Sequence, residues 1–170
     1  MKRRISLDTD QIQSLINELN EYADNLKGKC EIFLEMLAQE GIKVVDANYW
    51  TGRSDPTTSK SHKCEFQIDD NGNVLTGRLT VTGKDILFIE FGSGITFNRG
   101  NSHPKNAEFG YGVGTYPGQK HAFDEDGWYY RKGNSLYHSF GTEATMPVYK
   151  ASLEMMEKIE EIAEEVFGSG

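Results

Sequence analysis

The sequence predicts an α+β domain in which a curved antiparallel sheet of about four to six strands carries a long N-terminal helix and a C-terminal helix on one face. Three observations lead to that reading. Ile12, Leu15, Leu19, Tyr22, Leu26, Cys30, Phe33 and Leu37 recur in steps of three and four, the period of one continuous helical stripe. From Cys64 to Phe91, and again from Trp128 to Phe140, short runs of alternating or β-favouring residues are separated by turn residues. A second helical stripe, Val148, Met155, Ile159, Ile162 and Val166, closes the chain. Each stripe is one-sided, so each helix has one face to bury, and the sheet supplies the surface.

The first helix starts near Thr9, where Asp8 or Thr9 can cap it, and runs to about Gln39, with Gly41 placed for a left-handed C-terminal cap. At about 1.5 Å per residue it is about 45 Å long, enough to lie across the sheet and project beyond it. Ile42 to Trp50 reads as a strand or extended arm from its β-branched content, and the polar stretch from Thr51 to Ser61 as a loop. Cys64, Phe66 and Ile68 alternate with Glu65, Gln67 and Asp69, Asp70-Asn-Gly72 is a hairpin turn, and Leu75, Leu79 and Val81 line one face of the returning strand. Thr82-Gly-Lys-Asp85 then turns the chain into Ile86 to Phe91. That run is apolar on both alternating faces and is predicted as the doubly covered central strand of a three-stranded meander. Glu90 stands at its end, and a buried carboxylate needs a partner.

Residues 92–127 form a glycine-rich insertion with eight glycines in the 36 positions from Gly92 to Gly127. A loop of that length is functional or disordered. Fixing each residue costs about 1 to 2 kcal/mol of backbone entropy, which predicts that the loop is ordered by contact with another chain. Trp128 to Arg131 and Leu136 to Phe140, joined by Lys132-Gly-Asn134, read as a hairpin rejoining the sheet. Thr145 is the expected cap of the last helix, and Pro147 is tolerated in its first turn. Glu154, Glu157, Glu160, Glu161, Glu164 and Glu165 fill that helix's outer face. Residues 1–170 make a single domain.

A formal net charge of −8 argues against a protein that grips nucleic acid, which requires clustered Lys and Arg. With 37% hydrophobic residues and no apolar run near the roughly 20 residues that cross a bilayer, no membrane association is expected. The basic Met1-Lys-Arg-Arg4 leads into an amphipathic helix instead of a signal-peptide core, so the expected compartment is the cytoplasm. Cys30 and Cys64, with 33 residues between them, read as two buried thiols. Gly110-Tyr-Gly-Val-Gly-Thr115 lacks the third glycine of a dinucleotide loop, and the glycine pair Gly72 and Gly77 is followed by Arg78 and Leu79, not by the Lys and Ser or Thr of a phosphate loop. His62, His103, His121 and His138 have no helical ligand spacing and read as surface or hairpin residues. No nucleophile elbow is present. The sequence therefore offers no catalytic, cofactor-binding or metal-binding residues. Tyr111, Tyr116, Phe123, Trp128, Tyr129 and Tyr130 are dense for so glycine-rich a region, and fill a satellite core or present a protein-binding surface; both can hold.

Ile89-Glu-Phe-Gly-Ser93 ahead of an insertion, followed by Gly141-Thr-Glu-Ala-Thr-Met-Pro147 at the start of a C-terminal helix, resembles the tail-component family of long-tailed bacteriophages and prophages. The resemblance covers most of the chain, on short motifs. It implies a structural virion protein without enzymatic activity at the head-proximal end of the tail, in tail completion or head-tail joining. It implies a hexameric ring contacting tail-tube and head-completion proteins, with DNA passing nearby unbound, assembled in the host cytoplasm and carried in the virion. The glutamates of the last helix would then face the channel, where negative charge keeps DNA from sticking. Glu90, Phe91, Gly92 and Pro147 match the family motif as structural positions, while the insertion departs from the shortest members and leaves its contact partner open. Two other classes remain. One is a monomeric binding module using the 92–127 loop; the other is a small prophage-encoded enzyme in which Glu90, a histidine and a hydroxyl converge in a cleft.

Overall fold

A computed structural model of the chain describes residues 9–49, 51–72, 74–110, 121 and 123–168. In order these form α1 (Thr9–Asn48), β1 (His62–Asp70), β2 (Leu75–Gly83), α2 (Ile86–Phe91), β3 (Trp128–Lys132), β4 (Ser135–Ser139), α3 (Pro147–Glu157) and α4 (Ile159–Phe167). The α+β class is as the sequence predicts. The single curved sheet is not: the described residues hold two separate antiparallel ribbons, β1–β2 and β3–β4. Both hairpins form where expected, with Cys64 opposite Val81, Phe66 opposite Leu79 and Tyr130 opposite Tyr137.

The missing link is Ile86 to Phe91, which is a helix of six residues instead of a central strand. The Asp85 carbonyl accepts from Phe88 N at 3.1 Å and Ile89 N at 3.2 Å, closing its first turn. A short apolar run does not distinguish a doubly covered strand from a buried helical turn. Here the helix wins because Ile89, Glu90 and Phe91 are all buried and a single turn aims them at three different parts of the interior.

The second correction lies in α1, which continues through Gly41 and the predicted strand to Asn48. Gly41 is not a cap. It is a gap in the helix surface, since a Cβ there would stand 2.8 Å from Met155 Sδ and 3.0 Å from Leu79 Cδ2. The β-branched residues that suggested a strand are held helical by packing, which outweighs their weak intrinsic preference. Ala38, Gly41 and Val45 form the buried edge of α1, and β1, β2, α3 and α4 all pack on this helix. Val45, Tyr49, Ile89 and Ala151 make the centre of the core, with Cys64, Val81 and Ile86 packed against it. Cys30 and Cys64 are both free and half-buried.

The C-terminal helix is divided at Lys158, which keeps right-handed helical angles, so the axis bends more than it breaks. Its buried residues are Pro147, Ala151, Ile162 and Val166, whereas Val148 and Ile159 from the predicted stripe are exposed. The stripe is rotated because α3 meets α1 through the small Ala151, which permits close approach and adds little to an apolar pattern. Phe33 and Phe167, with ring centroids 5.8 Å apart, join α1 to the end of α4.

Candidate functional site

The two sequence segments that carry the phage-tail resemblance meet in one buried joint. Ser93 and Thr142 pair as an isolated antiparallel bridge, with Ser93 N donating to Thr142 O at 2.8 Å and Thr142 N to Ser93 O at 3.0 Å. Beside it, Glu90 ends α2 with its carboxylate under the first turn of α3. Oε2 accepts from Val148 N at 2.8 Å, and Oε1 accepts from Tyr149 N at 3.0 Å and from His103 Nε2 at 2.9 Å. The first amides of a helix lack partners within it, and an anion there complements the helix dipole, worth up to about 2 kcal/mol when partly buried. This is the partner that the sequence demanded for Glu90. The expected cap is displaced: the Thr145 hydroxyl makes no hydrogen bond, and Met146, in the left-handed region at φ 56°, turns the chain into α3.

His103 Nδ1 accepts from Lys105 N at 3.1 Å, which leaves Nε2 as the donor to Glu90. Its ring also packs on Phe91, with centroids 4.5 Å apart, so a histidine read from sequence as a surface residue is a buried one. Asn98, fully buried, locks the same region. Its Nδ2 donates to the carbonyls of Gly94 and Thr142 at 2.9 Å, and its Oδ1 accepts from Ala144 N at 2.8 Å. Gly92 and Gly141 are required by this closeness. Both have positive φ, a Cβ on Gly92 would lie 2.5 Å from Asn98 Oδ1, and one on Gly141 would overlap the Ser93 carbonyl. Phe91 and Pro147 are buried in the same joint. Glu90, Phe91, Gly92 and Pro147 thus have structural roles here. So do Asn98 and His103, which sequence reasoning missed because their partners are backbone atoms and a carboxylate distant in the chain. Gly92, Ser93, Gly94, Asn98, His103 and Asn106, all within the predicted insertion, are thus buried against this chain's own residues.

Glu90 and His103 converge as an enzyme would require, but their side chains are only 8% and 3% exposed and both carboxylate oxygens are occupied. The cleft lies elsewhere. It has a volume of about 310 Å³ and is walled by Lys84, Asp85, Phe88, Trp128, Tyr130 and Lys132. Asp55 holds its rim, with Oδ1 accepting from Thr57 N at 2.8 Å and from Tyr130 Oη at 2.5 Å. Burial alone would raise the Asp55 pKa, but hydrogen bonds from Ser139, Tyr130 and Thr57 outweigh it and hold the group below its ordinary value. Nearby, Glu143 is held low by the Arg53 backbone amide and then by its guanidinium. Burial raises the Cys64 thiol, with the Asp46 charge adding to the effect.

Of the predicted assembly residues, Tyr111 and Tyr116 lie outside the described residues. Phe123 and Tyr129 are exposed, whereas Trp128 packs over Gly94 and Tyr130 is tied to Asp55, so those two serve the fold. Two apolar faces lack cover among the described residues. From Thr9 to Lys27, about 28 Å at 1.5 Å per residue, the apolar stripe of α1 is largely uncovered by the described residues, with Ile12, Ile16, Leu19 and Tyr22 exposed and Leu26 bordering a groove against the β1–β2 turn. Lys27 marks the limit, bonded to Asp70 at the β1–β2 turn. Ile12, Leu15, Leu19, Tyr22 and Leu26 alternate steps of three and four, which puts them on one side of the helix. The second face is the outer side of β3–β4, where Tyr129, Leu136 and Phe140 are exposed and Tyr129 stacks on His138 at 4.3 Å. Leu136 and Phe140 were read only as hairpin residues, although strand alternation opposite the buried Ser139 signals their outward direction.

No protein-family model, curated protein or solved structure matches the chain. No helix among the described residues is long and apolar enough to cross a membrane.

Proposed function

We propose that the protein is a structural component of a phage or prophage virion, acting at the head-proximal end of the tail as a subunit of a closed ring. The observation that carries this reading is the pair of dissimilar exposed apolar faces. A ring needs a heterologous contact, one patch of a subunit against a different patch of the next, and a self-complementary patch alone would stop at a dimer. The free stripe of α1 and the outer face of β3–β4 are such a pair. The resemblance to the tail-component family adds the location, and a hexamer would match the tail tube. Tail-tube and head-completion proteins are the further partners in this reading. A curved sheet of about four to six strands then belongs to the ring, through edge pairing of ribbons from adjacent subunits, since among the described residues each strand has one unpaired edge. The exposed glutamates of α4 line the channel and keep DNA from adhering.

Native mass spectrometry over a concentration series tests the ring. Wild type should populate closed oligomers above the dimer. Leu19→Glu and Tyr129→Glu should each return it to monomer with unchanged circular dichroism, and the virion role predicts loss of tail joining on complementation. A species that ends at a dimer, or oligomers indifferent to both variants, would sink the reading. The cleft beside Trp128 and Tyr130 favours a second reading, a monomeric binding module, in which the binding surface is that cleft and both variants stay functional.

A further inference from the structure

We propose that Asp46, His62 and Cys64 form a binding site for a divalent transition metal ion, zinc above all, that clips the end of α1 to the first strand. His62 and Cys64 are alternate residues of β1 and so share the face turned toward α1, where Asp46 follows the buried Val45. One donor atom from each of the three, a carboxylate oxygen, an imidazole nitrogen and a thiol sulfur, lies within 4.8 Å of the others. Among the described residues this is the one such group.

The geometry is close to that of a bound ion. Zinc bonds of about 2.0 to 2.1 Å to oxygen and nitrogen and about 2.3 Å to sulfur place tetrahedral donors about 3.3 to 3.6 Å apart. No edge of the triad exceeds 4.8 Å, so none needs to contract by more than about 1.5 Å. The His62 Nε2 to Asp46 Oδ1 contact, now a 2.7 Å hydrogen bond, must open by about half as much. The imidazole is already positioned, since its ring stacks on Tyr49 with centroids 4.0 Å apart and planes 20° from parallel. His62 is 11% exposed and Asp46 59%, so the site opens to solvent on the carboxylate side, leaving room for water as the fourth ligand. A mixed O, N and S donor set suits zinc and its neighbours and disfavours magnesium or calcium, which take oxygen ligands. A simple His–Asp hydrogen bond would need no thiol beside it.

Cobalt(II) titration of the full chain under reducing conditions is the test, because a thiolate ligand to cobalt gives a charge-transfer band in the near ultraviolet and tetrahedral coordination gives intense visible bands. Wild type should saturate at one equivalent, with zinc displacing the cobalt. Cys64→Ser should abolish the charge-transfer band, His62→Gln and Asp46→Asn should each weaken binding by about tenfold or more, and Cys30→Ser should change nothing. Asp46 is exposed, so its variant retains the fold even where a strand substitution fails. No band in wild type at equimolar metal overturns the proposal. So does a band that survives Cys64→Ser, one that is lost in Cys30→Ser, or full affinity in Asp46→Asn.

Discussion

The two halves of α1 share one periodic pattern and meet opposite fates. From Gly28 onward the helix is wrapped by the β1–β2 ribbon, α3 and α4, and Val45 is completely buried. Before Gly28 the same repeat of apolar residues faces water, with Leu19 58% and Tyr22 68% exposed. Leu19, Leu26, Met155 and Ile159 were expected to be buried together, yet Leu19, Leu26 and Ile159 are exposed and Met155 is only partly buried. Amphipathic spacing states that a face is to be covered and does not state by which chain. Over about 28 Å this half of α1 keeps an apolar stripe that the described residues leave largely uncovered.

The largest contrast should come from placing a charge in each half. Val45→Asp buries an unpaired carboxylate in the core and should cost more than about 4 kcal/mol, enough to abolish the cooperative melt. Leu19→Glu should leave the melting temperature of the monomer within about 0.5 kcal/mol equivalent, as surface changes do. Equal losses would erase the division of the helix. A finer contrast uses its two glycines. Gly41→Val drives atoms into Met155 and Leu79 and should destabilise by about 1 to 3 kcal/mol. At Gly28 an added Cβ meets nothing within 4 Å, and Gly28→Ala should stabilise by about 0.5 to 1 kcal/mol through helix propensity. Denaturant titration reads both, and a destabilising Gly28→Ala would mean that α1 is closely packed where its two halves meet.

The smallest effect lies outside α1 and serves as its control. Asp55 and Glu143 both have lowered pKa values in the folded chain, so their contribution to stability is complete above the ordinary values of 3.8 and 4.5. It is lost as the pH falls below those values through the folded ones. Acid should therefore loosen the contact of the 51–58 loop with β3 and Glu143, seen as a falling melting temperature below pH 4.5. Asp55→Asn should flatten the part of that fall below 3.8. An unaltered acid limb would show that Asp55 does not anchor the loop.

Both hairpins and the existence of both terminal helices were legible in the sequence, because turn residues and one-sided periodicity are local signals. Ile86 to Phe91 was not, since a short run that is apolar at almost every position shows neither period 2 nor period 3.6. Gly41 and Ala151 misled for a related reason: small residues at a helix contact look like a stop or a neutral position, although their smallness is what lets the elements meet. The need of Glu90 for a partner was readable from its apolar surroundings. The identity of that partner was not, because Val148 N and Tyr149 N lie 58 and 59 residues away and His103 lies within a stretch that resembled a loop.

That separation bears on how the chain comes off the ribosome. The carboxylate that starts α3 is synthesised long before α3 exists, and no side chain adjacent to the helix replaces it. Until residues 142–149 emerge, Glu90 lacks its two helix amides and Ser93 lacks Thr142, so the nascent chain can form the β1–β2 hairpin and the rod of α1 but cannot seal the joint. Closure of this joint in this way waits for residues 142–149, long after β1, β2 and α1 are available to pair and pack.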